Sequence, residues 1–392
     1  MIAGIATYLP VWSARAGRQA GPDEDAITLA VEAGRAVLEG VAPEDVELVV
    51  LVTRDFPLME GGNAAALLAG LGLSRTTDVV ERVGGAPAML DALTAAEEAT
   101  LVIGADVSGP SGAAAAWSGG PAGGTLTRLS RVHRSLPLRA RGQDGVVHED
   151  EDPRLQRERG VRASLEASEL PGKPIAVAGL SSRDAAAWCE GPPPELPTIG
   201  ASAPLFALAA LADQRAGGIV AAVDQATIST ATWEPGAVAV HRLERPALEM
   251  PTRRSTPGPD IRISFAAYDR AFDPKLRWEA GSCPACGMLA FPPRLRCLGC
   301  GEEGTSVLVP LPRTATVYTA TTIHVPVPGL ASPYTLAVVQ LDDVDVRALV
   351  PVTDTAAATA DIGEPGRVVF RRMAIRSGIS DYGYAFAPEG GA

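Results

Sequence analysis

The chain has 392 residues, of which 46% are hydrophobic, and it carries a formal net charge of −12 at pH 7. That length and composition are enough for two or three buried cores. The acidic balance, without any Lys/Arg-rich block, argues against nucleic acid or an anionic membrane as the main partner. No apolar run approaches the roughly 20 residues of a membrane span, and residues 1–7 lack signal-peptide features, so we expect a cytoplasmic protein.

Residues 1–107 alternate apolar segments with helical patterns. The apolar segments are continuous runs, and continuous runs separated by helices are typical of a largely parallel sheet covered on both faces. The predicted strands are residues 2–9, 48–53, 79–83 and 101–107. The predicted helices are residues 25–39, residues 62–71 and a helix that opens within 81–93, ERVGGAPAMLDAL.

Residues 108–160 show little periodicity, so they are predicted as loops and short elements. A shorter strand–helix series follows them. Its predicted strands are residues 174–180, 218–232 and 237–243, and its predicted helices are residues 183–189 and 203–214. The alternation defines a first α/β domain over residues 1–245, with halves of about 1–165 and 166–245.

The remainder of the chain has a different pattern. Residues 246–264 hold several prolines without periodicity and are predicted as a linker. An amphipathic helix at 265–278 opens the next region, which runs to residue 310, and residues 311–392 contain β segments with hardly any helix. The predicted strands are 314–325, 334–341, 346–352, 367–375 and 382–387, which together indicate a small barrel.

Four of the five cysteines lie within 18 residues, in the segment CPACGMLAFPPRLRCLGCG. In a reducing compartment such a cluster indicates a metal site rather than disulfides. Four thiolates, two CxxC pairs, can surround one zinc ion tetrahedrally at about 2.3 Å, and they leave no coordination position open for catalysis. The sequence therefore predicts a structural zinc bound by Cys283, Cys286, Cys297 and Cys300. Cys189 lies in an apolar stretch and is predicted to be buried.

Residues 265–388 resemble the zinc-ribbon/OB-fold family whose members accompany thiolase-like enzymes. The resemblance is carried by the cysteine segment and by TATVYTATTIHVPVPGLASPYTLAVVQLDD, IGEPGRVVF and YGYAFAP. It implies a rubredoxin-like zinc ribbon followed by a small β-barrel, the OB-fold. It also implies a thiolase-like partner subunit whose acyl-CoA entrance the module completes.

Residues 1–243 resemble a bacterial hydroxymethylglutaryl-CoA synthase of the thiolase superfamily. The matching stretches are GIATYLPVW, DEDAITLAVEAGRAVLEG, TRDFPLMEGGNAAALLAGLGL, VIGADV and GASAPLFALAALADQ. The resemblance implies a five-layered α-β-α-β-α fold built from two related halves, of which the second is shortened here.

The same resemblance implies a nucleophilic cysteine in a strand-to-helix turn, where the helix N-terminus lowers the pKa of a thiol. The best register places Ala86 at that position, and residues 82–93 contain no Cys, Ser or Thr. The family's general base is a histidine, and none of His133, His148 and His241 matches its motif. Covalent Claisen chemistry needs both a thiolate and a base, so the sequence predicts a catalytically degenerate synthase-like domain.

Weaker candidates for CoA binding lie near the C-terminus. His324, in TTIHVPVPGL, could contact a pantetheine or a partner's loop, although a strand-end histidine that holds the turn before Pro326 is favoured. A cluster of arginines could bind a CoA phosphate or form a solvated, charged strand edge. These arginines are Arg367, Arg371, Arg372 and Arg376. The acidic residues between 144 and 152 are interpreted as a solvated loop.

Two functional hypotheses follow, because a fold alone does not decide function. In the favoured one, the chain is a non-catalytic subunit that docks an active thiolase-like enzyme as a homo- or hetero-oligomer, its linker letting the OB-fold module reach over a neighbouring subunit. In the alternative, the chain handles an acyl-CoA by a non-covalent, aldolase-type route, with an oxyanion hole at Gly85 and Ala86. A nucleic-acid-binding OB-fold is disfavoured by the acidic charge.

Overall fold

The computed structural model describes residues 1–15, 17–150, 152–259, 264–304, 306–325, 328–356 and 359–390. Among the described residues between 1 and 245 there are fourteen strands and seven helices. The strands are β1 (Gly4–Tyr8), β2 (Trp12–Ala14), β3 (Gly17–Gln19), β4 (Leu48–Thr53), β5 (Asp78–Val83), β6 (Thr100–Asp106), β7 (Gly112–Ser118), β8 (Thr125–His133), β9 (Arg139–Arg141), β10 (Val147–Glu149), β11 (Ala176–Ala178), β12 (Gly218–Asp224), β13 (Thr227–Glu234) and β14 (Ala239–Leu243). The helices are α1 (Ala26–Val37), α2 (Ala64–Leu71), α3 (Ala86–Ala95), α4 (Pro153–Leu155), α5 (Ala163–Ala167), α6 (Ser182–Ala185) and α7 (Ala203–Gln214), with a 3-10 turn at Pro43–Asp45 and a π-helical turn at Gln156–Arg162.

These elements form five layers. A six-stranded sheet has the order β14-β1-β7-β6-β4-β5, and a four-stranded sheet has the order β11-β12-β13-β8. Helices α1 and α2 cover the outer face of the first sheet, and α3 and α7 lie between the two sheets. Helices α5 and α6 and the π-helical turn cover the outer face of the second sheet. The predicted α-β-α-β-α architecture is confirmed.

The start of α1 shows how local sequence sets an element boundary. The side chain of Asp25 accepts hydrogen bonds from the backbone N–H groups of Ile27 and Thr28, and Thr28 Oγ1 accepts one from the Asp25 N–H at 2.8 Å. This reciprocal capping box satisfies N–H groups that the first helical turn leaves free. Helix α1 therefore begins at Ala26, one residue inside the predicted segment.

Two predictions for the central part of the chain are wrong. Residues 108–160 contain two full strands, β7 and β8, and β7 (GAAAAWS) is buried along its whole length. Alanine has a low strand propensity, so local sequence hides this strand, which runs antiparallel to both β1 and β6. The first sheet is consequently mixed rather than largely parallel. Residues 218–232, predicted as one strand, form the hairpin of β12 and β13, with Gln225 at φ +54° in its turn.

The rest of the chain folds as a small ribbon, which carries the four clustered cysteines, and a barrel. Helix α8 (Phe265–Arg277) precedes a three-stranded ribbon of β15 (Glu279–Ser282), β16 (Leu289–Ala290) and β17 (Val307–Pro310). The barrel contains β18 (Thr314–Ile323), β19 (Tyr334–Leu341), β20 (Arg347–Pro351), β21 (Pro365–Arg376) and β22 (Ile379–Pro388), in the order β20-β19-β18-β21-β22. A bridge between Val352 and Phe386 joins the two end strands and closes the barrel. The predicted five-stranded barrel is confirmed.

The barrel packs directly on the first domain of its own chain. Phe370 of β21 is fully buried, and its ring centroid lies 5.3 Å from that of Tyr382 and 5.5 Å from that of Tyr384. Gly70 of α2 makes room for this contact, because a Cβ there would lie 2.6 Å from Val31 Cγ2 and 3.4 Å from Phe370 Cε1. The expectation that the linker lets the module reach over a neighbouring subunit is therefore corrected: an aromatic face of β21 and β22 buries itself against α1 and α2.

Replacing Phe370 with Ala should destabilise the whole chain, because this side chain belongs to a core that both domains share. Removal of a buried Phe typically costs about 3–5 kcal/mol. The exposed Leu349 of β20, which is 68% exposed, provides a matched truncation in the same barrel, and Leu349→Ala should change the free energy of unfolding by no more than about 0.5 kcal/mol. Urea denaturation of the metal-loaded protein measures both, and equal effects would contradict the shared core.

Within the described residues, no helix combines the length and the apolar character needed to cross a membrane.

Candidate metal centre and candidate acyl site

The four clustered cysteines converge in the ribbon. Their sulfur atoms all lie within 4.8 Å of one another, with Cys283 Sγ 3.7 Å from Cys300 Sγ and Cys286 Sγ 3.6 Å from Cys297 Sγ. Sulfur atoms bound at about 2.3 Å around one tetrahedral ion are separated by nearly this distance. The site can therefore hold one metal ion with four thiolate ligands and no open position.

Two glycines shape the turns that carry the sulfur atoms. Gly287 and Gly301 follow the second cysteine of each pair and adopt φ +74° and +76°, a region that side-chain-bearing residues rarely enter. Their N–H groups donate to the carbonyl groups of Cys283 and Cys297 at 2.8 Å and 3.1 Å. The two CxxCG segments are thus equivalent turns facing each other.

Backbone N–H groups of the ribbon also stabilise the thiolate form of Cys297. The N–H groups of Cys300 and Gly299 lower the pKa of Cys297 to about 6, and the Gly299 N–H lies 3.4 Å from the Cys297 sulfur. A thiolate is the form that ligates a metal, so the amides favour the binding-competent state. Cys189 lies apart, buried at 6% exposure, and burial raises the pKa of its thiol.

The predicted nucleophile position lies at the first residue of α3. Ala86 follows β5 and the pair Gly84–Gly85, and it is 1% exposed. Pro87 occupies the second helical position, where its missing N–H costs nothing. A strand-to-helix turn of the predicted kind is therefore present, and the side chain at its first helical residue is the methyl group of Ala86.

An ion pair fills the space beside this turn. Arg54, just after β4, pairs with Asp224 at the end of β12, and the pair links the two sheets. A Cβ added at Gly85 would collide with the Arg54 guanidinium and lie 3.0 Å from Asp224 Oδ2. Burial, reinforced by the nearby Arg139, lowers the pKa of Arg54. Sequence reasoning missed this pair, although charged residues placed directly at the carboxyl ends of buried strands are a signal for a site.

A second buried carboxylate near these strand ends has a structural role, because hydrogen bonds within the chain satisfy both of its oxygens. Asp106, at the end of β6, accepts hydrogen bonds from the N–H groups of Ala201 and Ser202 at 2.7 Å and 2.9 Å and from Ser202 Oγ at 2.6 Å. Burial raises the pKa of this carboxyl group, and the three donors oppose that shift. Asp106 therefore fixes the residues that directly precede the N-terminus of α7.

The weaker candidates do not gather around Ala86. His133 and His148 are exposed on β8 and β10, and His241 lies on β14, paired with Ala6 of β1. His324 is exposed directly after β18, and Pro326, before which it was expected to hold a turn, lies outside the described residues, as does Glu151 of the acidic loop.

The arginine cluster is also dispersed. Arg371 is 1% exposed and bonds to Asp354, so it is not part of a solvated strand edge, because the barrel's contact with the first domain buries it. Arg372 donates to the carbonyl group of Pro22 at 3.1 Å. Of the four, Arg367 remains exposed, and Arg376 lies 3.4 Å from Asp381 Oδ2.

One face of the first domain exposes apolar side chains on an edge strand. Strand β5 ends the first sheet, and its Val80 and Val83 are 47% and 58% exposed. Strand β8 ends the second sheet. Between these two edge strands lies Asp91 of α3, which is 2% exposed and is surrounded by basic side chains. These are Arg82, Arg128 and Arg131. We call the residues of β5 the β5 edge; its free backbone and exposed valines suit it to pair with another chain.

Comparison with known proteins agrees with the two-part architecture. Residues 308–371 match the family model described as the C-terminal OB-fold domain of ChsH2. The search of curated proteins found no match. The chain is thus a five-layered α/β domain followed by a small β-barrel, and the OB-fold model matches most of that barrel.

The solved structures that match this chain include a synthase, OleA and an aldolase. The 3-oxoacyl-[acyl-carrier-protein] synthase III from Aquifex aeolicus VF5 is 16% identical, with a TM-score of 0.45, over 59% of this chain and 99% of that one. OleA from Xanthomonas campestris is 13% identical, with a TM-score of 0.47, over 59% and 95%. The Ltp2-ChsH2(DUF35) aldolase is 26% identical, with a TM-score of 0.26, over 33% of this chain and 98% of that one.

Proposed function

We propose that this chain is a non-catalytic subunit that docks an active thiolase-like acyl-CoA enzyme and helps to form that enzyme's acyl-CoA site. One observation carries the proposal: Ala86, where the resemblance places a nucleophile, has only a methyl group, and the Arg54–Asp224 pair fills the space beside it. Covalent acyl transfer lacks its thiol here. The alternative, a non-covalent enzyme with an oxyanion hole at Gly85, is disfavoured because the guanidinium of Arg54 occupies the approach to that glycine.

The metal in this proposal is a structural zinc. Four thiolates favour zinc over hard cations such as Mg²⁺ and Ca²⁺, and the closed ligand set leaves no position for a substrate. Cysteines kept reduced for metal binding suit a cytoplasmic compartment.

The partner in this proposal is a thiolase-like protein. Residues 265–388 resemble modules that accompany thiolase-like enzymes, and residues 1–243 resemble a hydroxymethylglutaryl-CoA synthase, a class whose subunits pair through a sheet edge. The β5 edge supports such pairing, since it carries exposed valines directly before Ala86. The catalytic cysteine then comes from the partner, and this chain supplies the docking surface.

The purified chain should neither thiolyse acetoacetyl-CoA nor condense acyl-CoA, and Ala86→Cys should not restore turnover. The introduced thiol would be buried at the 1% exposure of Ala86 and would lack a base. It should also react with iodoacetamide slowly, because access requires local opening. Combining it with Arg54→Ala, which removes the side chain beside the turn, should speed alkylation by about tenfold or more. Mass spectrometry of the peptide that contains position 86 measures the rate.

The matched control for the second substitution is Arg183→Ala, which removes an arginine from α6, away from this turn. It should leave the alkylation rate of the introduced thiol unchanged. An acyl-enzyme formed by Ala86→Cys alone from acetyl-CoA would contradict the non-catalytic assignment.

A further inference from the structure

In the buried contact between the two domains, four carboxyl groups surround the guanidinium of Arg371. Arg371 of β21 donates through Nη2 to Asp354 Oδ2 at 2.9 Å, and the same nitrogen lies 3.5 Å from Glu24 Oε1. Two further carboxyl groups face this guanidinium, those of Glu32 at 3.7 Å and Asp23 at 3.8 Å. We call these five residues the Arg371 cluster. Arg371 and Asp354 belong to the barrel, whereas the other three belong to the first domain, so the cluster exists only when the domains are docked.

The cluster is short of positive charge. If every carboxyl group is ionised, four negative charges are balanced by only two positive charges. These are Arg371 and Arg245, which lies 4.0 Å from Asp354. Glu24 is 2% exposed; the Tyr8 hydroxyl donates to its Oε1 at 2.6 Å and the Gly21 N–H donates to its Oε2 at 2.7 Å. Taking this many carboxylates out of water is unfavourable unless each is paired. A proton on one of them relieves the excess.

Water can reach the cluster. A cavity of about 370 Å³ lies between the domains, and Glu32, Asp354, Arg371 and Arg245 line it. Among the described residues, Glu32 Oε1 and Arg371 Nε have no hydrogen-bond partner. The cluster therefore borders a space through which protons can exchange with solvent.

We propose that the Arg371 cluster is a proton-dependent latch: a proton on Glu24 tightens the docking of the OB-fold domain on the first domain, and loss of that proton loosens it. Burial, with repulsion from Asp354 and Asp23, raises the pKa of Glu24 from 4.5 to about 7, although Arg371 opposes this shift. An acid whose pKa is higher in the docked state than in the free state disfavours docking when it ionises. The stabilisation is therefore complete below pH 4.5 and is lost as the pH rises through about 7.

Hydrogen exchange of the full-length, zinc-loaded protein tests the latch. After correction for intrinsic exchange rates, the opening equilibrium of peptides covering residues 21–32 and 365–376 should rise about tenfold between pH 6 and pH 8. Glu24→Gln, which keeps the shape and removes the titration, should abolish this rise. Glu39→Gln, an identical change at an exposed position after α1, should leave the rise intact.

A second variant keeps the test decisive if Glu24→Gln folds poorly. Asp354 adopts φ +56°, a conformation that Asn tolerates well, so Asp354→Asn should fold. Removing this negative charge should move the midpoint of the pH dependence to lower pH. A rise that persists in Glu24→Gln, an unchanged midpoint in Asp354→Asn, or a pH-independent wild type would each overturn the latch.

Discussion

Replacing Cys297 with Ser should release the metal ion and unfold the ribbon. The three ribbon strands are two to four residues long, and they are too short to be stable by themselves. Zinc binding in comparable small sites contributes about 10–16 kcal/mol at pH 7, so we expect a bound zinc to be the main stabilising element of this segment. Elemental analysis should show about one zinc per wild-type chain and nearly none in the variant.

The unfolding should remain local at first. Trp278, at the end of α8, is 2% exposed, and its ring centroid lies 4.7 Å from that of Phe291 in the ribbon and 4.8 Å from that of Tyr384 in the barrel. Loss of the ribbon removes the first of these contacts, so tryptophan fluorescence should shift. Cys189→Ser, at the buried cysteine of the first domain, is the matched control and should retain the metal. Full zinc content in Cys297→Ser, or zinc loss in Cys189→Ser, would contradict the assignment.

The metal centre could be predicted from sequence because its ligands are local. Two CxxC pairs separated by ten residues place four sulfur atoms on two neighbouring turns, and the glycines after Cys286 and Cys300 mark those turns. The barrel strands were also predictable: residues 334–341 form β19 with the predicted bounds. In both cases the pattern that specifies the structure lies within a short window.

The features that were missed depend on distant parts of the chain. The sequence near β7 does not indicate that its alanines pair with β1 and β6. Helices that pack on both faces of the sheet stabilise this strand despite the weak strand propensity of alanine. Arg54 and Asp224 are 170 residues apart. Arg371 lies in a segment with several charged residues, a pattern typical of an exposed strand, yet residues near 23–32 surround it with carboxylates. Whether an arginine is exposed or buried is decided by such partners, which a single segment does not reveal.

We expect a charge on the β5 edge to prevent its pairing with a thiolase-like subunit. If a thiolase-like subunit pairs with this strand, Val80 becomes buried in the interface, and Val80→Lys places an unpaired charge there. Such a buried charge costs about 3 kcal/mol or more, so the dissociation constant should rise on the order of 100-fold. The isolated chain should tolerate the change, because Val80 is 47% exposed in it.

The experiment co-expresses this chain with a thiolase-like protein from the same gene neighbourhood and measures the complex by size exclusion and light scattering. Val146→Lys is the matched control, since Val146 is 52% exposed in the turn between β9 and β10, away from the edge. Wild type and the control should elute with the partner, and Val80→Lys should elute alone. If Val80→Lys formed a dimer with itself as strongly as the wild type does, the interface would not be the β5 edge. The docking role would be refuted if this chain stayed monomeric while the partner was stable and fully active without it. The β5 edge would then pair with no subunit.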